Sequence, residues 1–428
     1  MKHLTLSNSQ VRPLFHDMGT GVLTKAGLLR AWISCVALTC VLSMQTIADA
    51  QYVTEVMSGL DNPRGLAFGP DGGLYVTEAG RGGTTPTSIV VEGQPRFFGT
   101  TSGLSRLLSG VQQGVLSDFP SLANSNGTNA GGLQDIVFNN SGDAFGLIGA
   151  GASPAARASL GSAGASIGTL VRLPLIGGSV QTIADLIAYE GTQNPDGGVL
   201  DSNPFKLLLN PAGDYVVADA GANDVLGVTA AGTISTLSVL PPRPNPLPFG
   251  PPVFQSVPTA VAIGPDGAYY VGELTGFPFP SGAANVYRLD PTTGTRTVAH
   301  AGFTNIVDLT FDPAGNLYVL QISTNGLASP MGPGPGALIK VASGTGARTT
   351  IASQGLSFPT GLAIGPDGAF YVSNMGNAAG SGQVLRITLV PEPSSWMLLC
   401  LGMIAVAVGC TGVRRPKTSS SADSVTEP

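Results

Sequence analysis

Five oxygen-bearing side chains recur at one place in a repeated motif. Glu78, Asp219, Glu273, Gln321 and Asn374 each stand six residues after a glycine (Gly72, Gly213, Gly267, Gly315, Gly368) that ends a turn of the Gly-Pro-Asp-Gly kind. Three carboxylates and two amides form an all-oxygen set suited to a hard cation such as Ca2+, which takes about six to eight such ligands. A further copy puts Ile148 six residues after Gly142 and interrupts the set. A second series precedes each turn: Arg64, Asp135, Lys206, Thr259, Asp308 and Thr360. Two readings stand side by side. In one, the first series converges on a cation, and Glu78, Asp219 or Glu273 serves as a carboxylate base beside it. In the other, the residues are a polar rim whose acids pair with Arg64 or Lys206 or are simply hydrated.

Other chemistries find few residues. His300 is the one histidine of the repeat region, so neither a Ser-His-acid arrangement nor a His-ligated transition metal has its parts within one chain. The four cysteines, Cys35, Cys40, Cys400 and Cys410, lie outside that region, which excludes a disulfide framework or thiol nucleophile within it. No catalytic residue is assigned. With 20 Lys and Arg and a net charge of −6, no basic stripe is available for nucleic acid. No Walker-type phosphate loop occurs in the Gly-rich runs.

The elements that position these residues are strand, tight turn, strand. In GLAFGPDGGLYVTE, Leu66 to Phe68 is an apolar run, Pro70 presets φ, Asp71 bonds its own backbone, and Gly72 supplies positive φ. Leu74 to Thr77 is β-branched and aromatic. The turn glycines are spaced by 70, 71, 54, 48 and 53 residues. That period suits a four-stranded blade and is too long for one coil of a β-helix. With 60 Gly, 33 Pro, 43% apolar and 11% charged residues, the chain is turn-rich and globular. The fold class is therefore all-β, a six-bladed β-propeller over 51–389. The sixth copy ends after a third strand, and Tyr52 to Val56 is placed to supply its fourth. The N-terminal strand thereby closes the ring.

Strand parity puts the short turns on one face and the long loops 81–103, 151–168, 275–285 and 323–337 on the other. Binding usually resides on such loops. The Pro-rich stretch 239–254 belongs to that face and is expected as rigid extended chain. Phe277 and Phe279 offer a stacking surface for a sugar, pigment or peptide; the alternative is a loop that covers the channel mouth. Both polar series fall on this face, rimming the channel.

The flanks carry targeting signals. Lys25 and Arg30, an apolar run over 31–44 and Ala48-Asp49-Ala50 read as a signal peptide over 1–50. Pro391, Glu392 and Pro393 precede an apolar run of 18 residues, 396–413, then Arg414, Arg415 and Lys417. That run is long enough for a membrane helix with its basic end in the cytoplasm. A polar tail, 418–428, follows.

Motif, span and basic cluster together resemble the PEP-CTERM sorting signal over 390–417, which implies exosortase as a partner, export, and a transient inner-membrane anchor. The body resembles the ScyD/ScyE family of secreted, NHL-like β-propellers through GLDNPRGLAFGPDGGLYVTEAGRGG, DSNPFKLLLNPAGDYVVADAGANDVL, VGELTGFPFPSGAANVYRL, GFTNIVDLTFDPAGNLYVL and SFPTGLAIGPDGAFYVSN. The resemblance implies fold and an envelope or extracellular location, and leaves the ligand (small molecule, glycan or protein) open. Six-bladed propellers of the gluconolactonase and paraoxonase type hold calcium in the channel mouth. Likeness to these makes a Ca2+-dependent hydrolase the alternative to a binding module.

Overall fold

A computed structural model describes residues 50–83, 87–91 and 93–390. All six turn glycines adopt positive φ, from +74° to +90°, and each donates its N–H to the carbonyl three residues back. Each turn joins the first two strands of an antiparallel sheet, and six such sheets follow one another. Their innermost strands are Pro63–Phe68, Gly132–Phe138, Pro204–Leu209, Pro258–Ile263, Ile306–Phe311 and Gly361–Ile364. Each touches the next, and the last touches the first. The chain is a closed six-bladed β-propeller.

Closure is made by the N-terminal strand. Ala50–Leu60 runs antiparallel to Gly382–Val390, with Tyr52 opposite Thr388 and Val53 opposite Ile387. It becomes the outermost strand of blade six and leaves no open edge between the ends of the array. Packing repeats the same closure. Each pair of adjacent blades shares one apolar cluster, and the cluster between blades six and one contains Met57, Leu60, Leu66, Val76, Tyr371 and Val384. Aromatic pairs reinforce most of these seams: Phe68–Tyr371, Tyr75–Phe138, Phe145–Tyr215, Tyr270–Phe311 and Tyr318–Phe370 have ring centroids 4.6–5.2 Å apart.

The long-loop face carries more structure than expected. Within 81–103, Ser88–Val91 pairs with the start of Gln94–Leu108, which continues through a turn into Val111–Ala123. The cause is period-two burial: Ile89 and Val91 enter a cluster with Leu122, Ile167 and Ile187. Within 151–168, Ser153 caps a short helix, Pro154–Ser159, through its Oγ on the Ala156 N–H, and a 3-10 turn, Gly161–Gly164, follows. A second helix, Leu186–Gln193, capped by Asp185, fills a stretch for which the sequence suggested nothing. The Pro-rich segment is a hairpin, not extended chain. Arg243–Pro244 pairs with Val253–Phe254, and the Asn245 amide donates to the Phe249 and Pro251 carbonyls at 2.7 and 2.8 Å. His300 lies within the outermost strand Arg296–Phe303, opposite Val286.

Among the described residues no helix is long and apolar enough to cross a membrane. The apolar run 396–413, the sorting residues Pro391, Glu392 and Pro393, and all but the last residue of the segment 1–50 read as a signal peptide lie outside the described residues.

Met57 is 2% exposed and Tyr52 64% exposed on the same closing strand. Met57→Ala is expected to cost about 2–5 kcal/mol by urea unfolding, and Tyr52→Ala no more than about 0.5 kcal/mol. Equal effects would mean that this strand does not seal the ring through its inner face.

Candidate functional site at the propeller axis

The first polar series does not reach toward a common point. Each member turns back to the segment that enters its own blade, seventeen residues earlier. Glu78 accepts the Asp61 N–H at 2.7 Å, Gln321 the Thr304 N–H at 2.9 Å, and Asn374 the Ser357 N–H at 2.7 Å. Asp219 and Glu273 accept the hydroxyls of Ser202 and Ser256 at 2.6 and 2.7 Å. In blade two the buried Ile148 stands in place of the polar residue, and the Gly131 N–H at the same spacing donates to the Leu122 carbonyl at 2.8 Å instead.

The remaining oxygens are also taken. Ser105 Oγ donates to Glu78 at 2.6 Å. Asp219 accepts the N–H groups of Asn203, Gly221 and Ala222. Glu273 accepts the Asn285 N–H at 2.8 Å and pairs with Arg243 of the Pro-rich hairpin. Burial raises the pKa of Glu78, Asp219 and Glu273, and these donors oppose it. Among the described residues no group of three or more His, Cys, Asp or Glu is placed to hold a metal. The convergence required by a Ca2+-dependent hydrolase is therefore not formed by Glu78, Asp219 and Glu273. Arg243, Ser202 and Ser256 are the partners that sequence reasoning missed. The seventeen-residue spacing was the signal for the two serines.

The second series is what crosses between blades. In five blades the ladder between the first two strands slips where the chain enters strand one, for example between Leu133 and Asp135, Pro204 and Lys206, and Ile306 and Asp308. Such irregularities re-aim side chains. The residues of this series reach onto other blades. Asp135 Oδ2 accepts the Leu207 N–H of blade three at 2.9 Å, and Asp308 Oδ2 the Leu362 N–H of blade six at 2.8 Å. Thr259 and Thr360 donate to the Ile306 and Pro63 carbonyls at 2.6 and 2.7 Å. Arg64 donates to the carbonyls of Gly376 and, at 2.7 Å, Ala130.

Lys206 completes this belt. Its Nζ lies 2.8 Å from Asp308 Oδ2 and 3.6 Å from Asp135 Oδ2, joining blades two, three and five at the axis. Both acids are buried and the lysine nearly so. Burial works against the ammonium, but the two carboxylates outweigh it and hold its pKa above the ordinary lysine value. Asp135 shows the opposite balance. Burial pushes it up to about 6, against the pull of Lys206. Its Oδ1 has no partner and lies against Gly65, where a Cβ would stand 1.9 Å away. Arg64 is lowered to about 10 by burial and has no carboxylate partner among the described residues.

Residues 389–415 match the PEP-CTERM protein-sorting motif, which marks the chain for export and for recognition by exosortase machinery. No curated protein matches the chain. Among solved structures it is similar to virginiamycin B lyase from Staphylococcus aureus at 13% identity and TM-score 0.43, over 80% of this chain and 100% of that one. It is also similar to regucalcin, a calcium-binding protein from Agrobacterium tumefaciens, at 13% and 0.47, over 80% and 94%. A PQQ-bound aldose sugar dehydrogenase from Streptomyces coelicolor gives 11% and 0.44, over 79% and 99%. At these values the likeness does not extend to activity or ligand.

Lys206→Met should cost about 3–5 kcal/mol, because two buried carboxylates lose their cation; chemical unfolding measures it. A pH test isolates Asp135. Its carboxyl titrates near 6 when folded against an ordinary value of 3.8, so the folded chain holds the extra proton between those values. This contribution to stability is present below about pH 4 and is lost as pH rises through about 6. Asp135→Asn should remove that part of the decline, and the wild-type minus variant difference should change by about 2–3 kcal/mol across the window. A difference independent of pH would show that Asp135 ionises normally.

Proposed function

We propose that the chain is an exported cell-envelope or extracellular propeller that works as a ligand-binding or protein-interaction module, as its ScyD/ScyE resemblance suggests. Residues 1–50 are its signal peptide, 51–389 its binding body, and 390–417 its sorting segment with a membrane helix. The periplasm, outer surface or extracellular matrix is its destination.

One observation carries the binding reading. Phe277, 52% exposed, and Phe249, 40% exposed, come from two separate loops of the long-loop face and meet edge-on with ring centroids 6.4 Å apart. Phe279 adjoins Phe277 at 6.2 Å. The hairpin that carries Phe249 is braced. The Phe249 carbonyl is held by Asn245, and Arg243 of the same hairpin pairs with buried Glu273 beneath. Exposed aromatics on a rigid frame supply contact area at low conformational cost and suit a flat apolar face: a sugar ring, a pigment or an aromatic side chain. Most polar groups of the channel rim meanwhile bond to the protein itself, which leaves the loops as the place for a ligand.

A thermal-shift screen of soluble saccharides and aromatic small molecules should yield a stabilising ligand. Phe249→Ala/Phe277→Ala should lose that shift while its own melting stays close to wild type. A ligand response unchanged in the double variant would place recognition elsewhere.

A further inference from the structure

Blade three holds a pair of carboxylates that the clamps and the axial belt leave unused. Glu190, 2% exposed, sits on the buried side of helix Leu186–Gln193. Asp224, 1% exposed, opens the third strand of the blade. All four of their carboxylate oxygens are buried and have no hydrogen-bond partner. A carboxylate so placed is costly unless something cationic compensates it.

The surroundings deepen the conflict. Asp224 lies directly opposite Asp219 across the strand pair, an arrangement that is unfavourable between like charges. Asp219 already has its four donors, so it shares none with Asp224. Asp196, fixed by the Asn223 amide at 3.0 Å, adds its charge to both Glu190 and Asp224. Among the described residues no lysine or arginine acts on either carboxylate. Burial, then the neighbouring acids, lift Glu190 to about 7 and Asp224 well above the usual range. Asn194 ends the helix four residues after Glu190, and its Oδ1 is buried without a partner as well.

We propose that Glu190 and Asp224 are the charged ligands of a Ca2+ site on the long-loop side of blade three, away from the propeller axis. The donor set is all oxygen, which excludes soft metals. Two carboxylates on different elements, a helix and a strand, with an amide oxygen at the end of that helix, fit the loose oxygen shell of Ca2+ better than the strict octahedron of Mg2+. Among the described residues no third acid stands in position, so water and main-chain carbonyls complete the shell. The ion ties helix Leu186–Gln193 to the sheet. This inference is independent of the aromatic surface.

Titration calorimetry of the full-length chain with CaCl2 tests it, beside melting in CaCl2, MgCl2 and chelator. The expected result is one Ca2+ per chain, a higher melting temperature with Ca2+ than with Mg2+, and binding weakened at least about tenfold in both Glu190→Gln and Asp224→Asn. Without Ca2+ these isosteric variants should melt no lower than wild type, because each removes an uncompensated charge. Absence of Ca2+ binding by wild type overturns the proposal. So does equal binding by the variants, or melting that rises on acidification with no Ca2+ response, which would mean that protons alone neutralise the pair.

Discussion

One lysine holds together parts of the ring that no strand connects. Lys206 stands between the carboxylates of Asp135 and Asp308, drawn from blades on either side of the axis. Each carboxylate also accepts a main-chain N–H from the next blade. The arrangement works because all three charges are buried together. A buried ion pair contributes little net stability compared with apolar packing, yet losing one member is severe. Such a centre therefore acts mainly as a constraint on geometry: blades two, three and five can come together in one register only.

Around that centre the molecule is built from two kinds of polar contact with different reach. The seventeen-residue clamps work within a blade and fix how the chain enters it. The entering residues work between blades and fix how one sheet sits against the next. Apolar clusters fill the seams between them. Little polar chemistry is left over at the axis, and the distinctive surface lies out on the loops, where Phe249 and Phe277 meet.

The fold was legible because its determinants are local. A turn glycine, a preceding Asp or Asn and a β-branched run each declare themselves within about ten residues, and six repetitions gave the blade number. The closing strand was legible by subtraction, since the sixth copy lacked one. The role of the polar residues was not legible in the same way. Glu78 and Asp219 look like free ligands until their partners seventeen residues upstream are counted. The contact of Lys206 with Asp308 spans 102 residues and depends on strand irregularities that composition does not reveal. Loop 81–103 was misjudged because a four-residue alternation, Ser88 to Val91, is short beside its Gly-rich surroundings. Helix Leu186–Gln193 escaped because its signal, an Asp cap over a single buried face, is weak in eight residues.

The two ends of the described chain pair with one another, Ala50 opposite Val390. The strand that leaves the export machinery first must therefore wait for the strand that leaves last. Until Gly382–Val390 has followed, the cluster around Met57 and Leu60 lacks Val384 and blade six lacks its rim. Assembly of this ring is thus coupled to complete passage of the chain, and its last contact lies beside the residues that the sorting machinery reads. A partly translocated chain would leave Ala50–Leu60 and Phe370–Asn374 each with an unpaired edge, and in the finished chain Gly382–Val390 covers both.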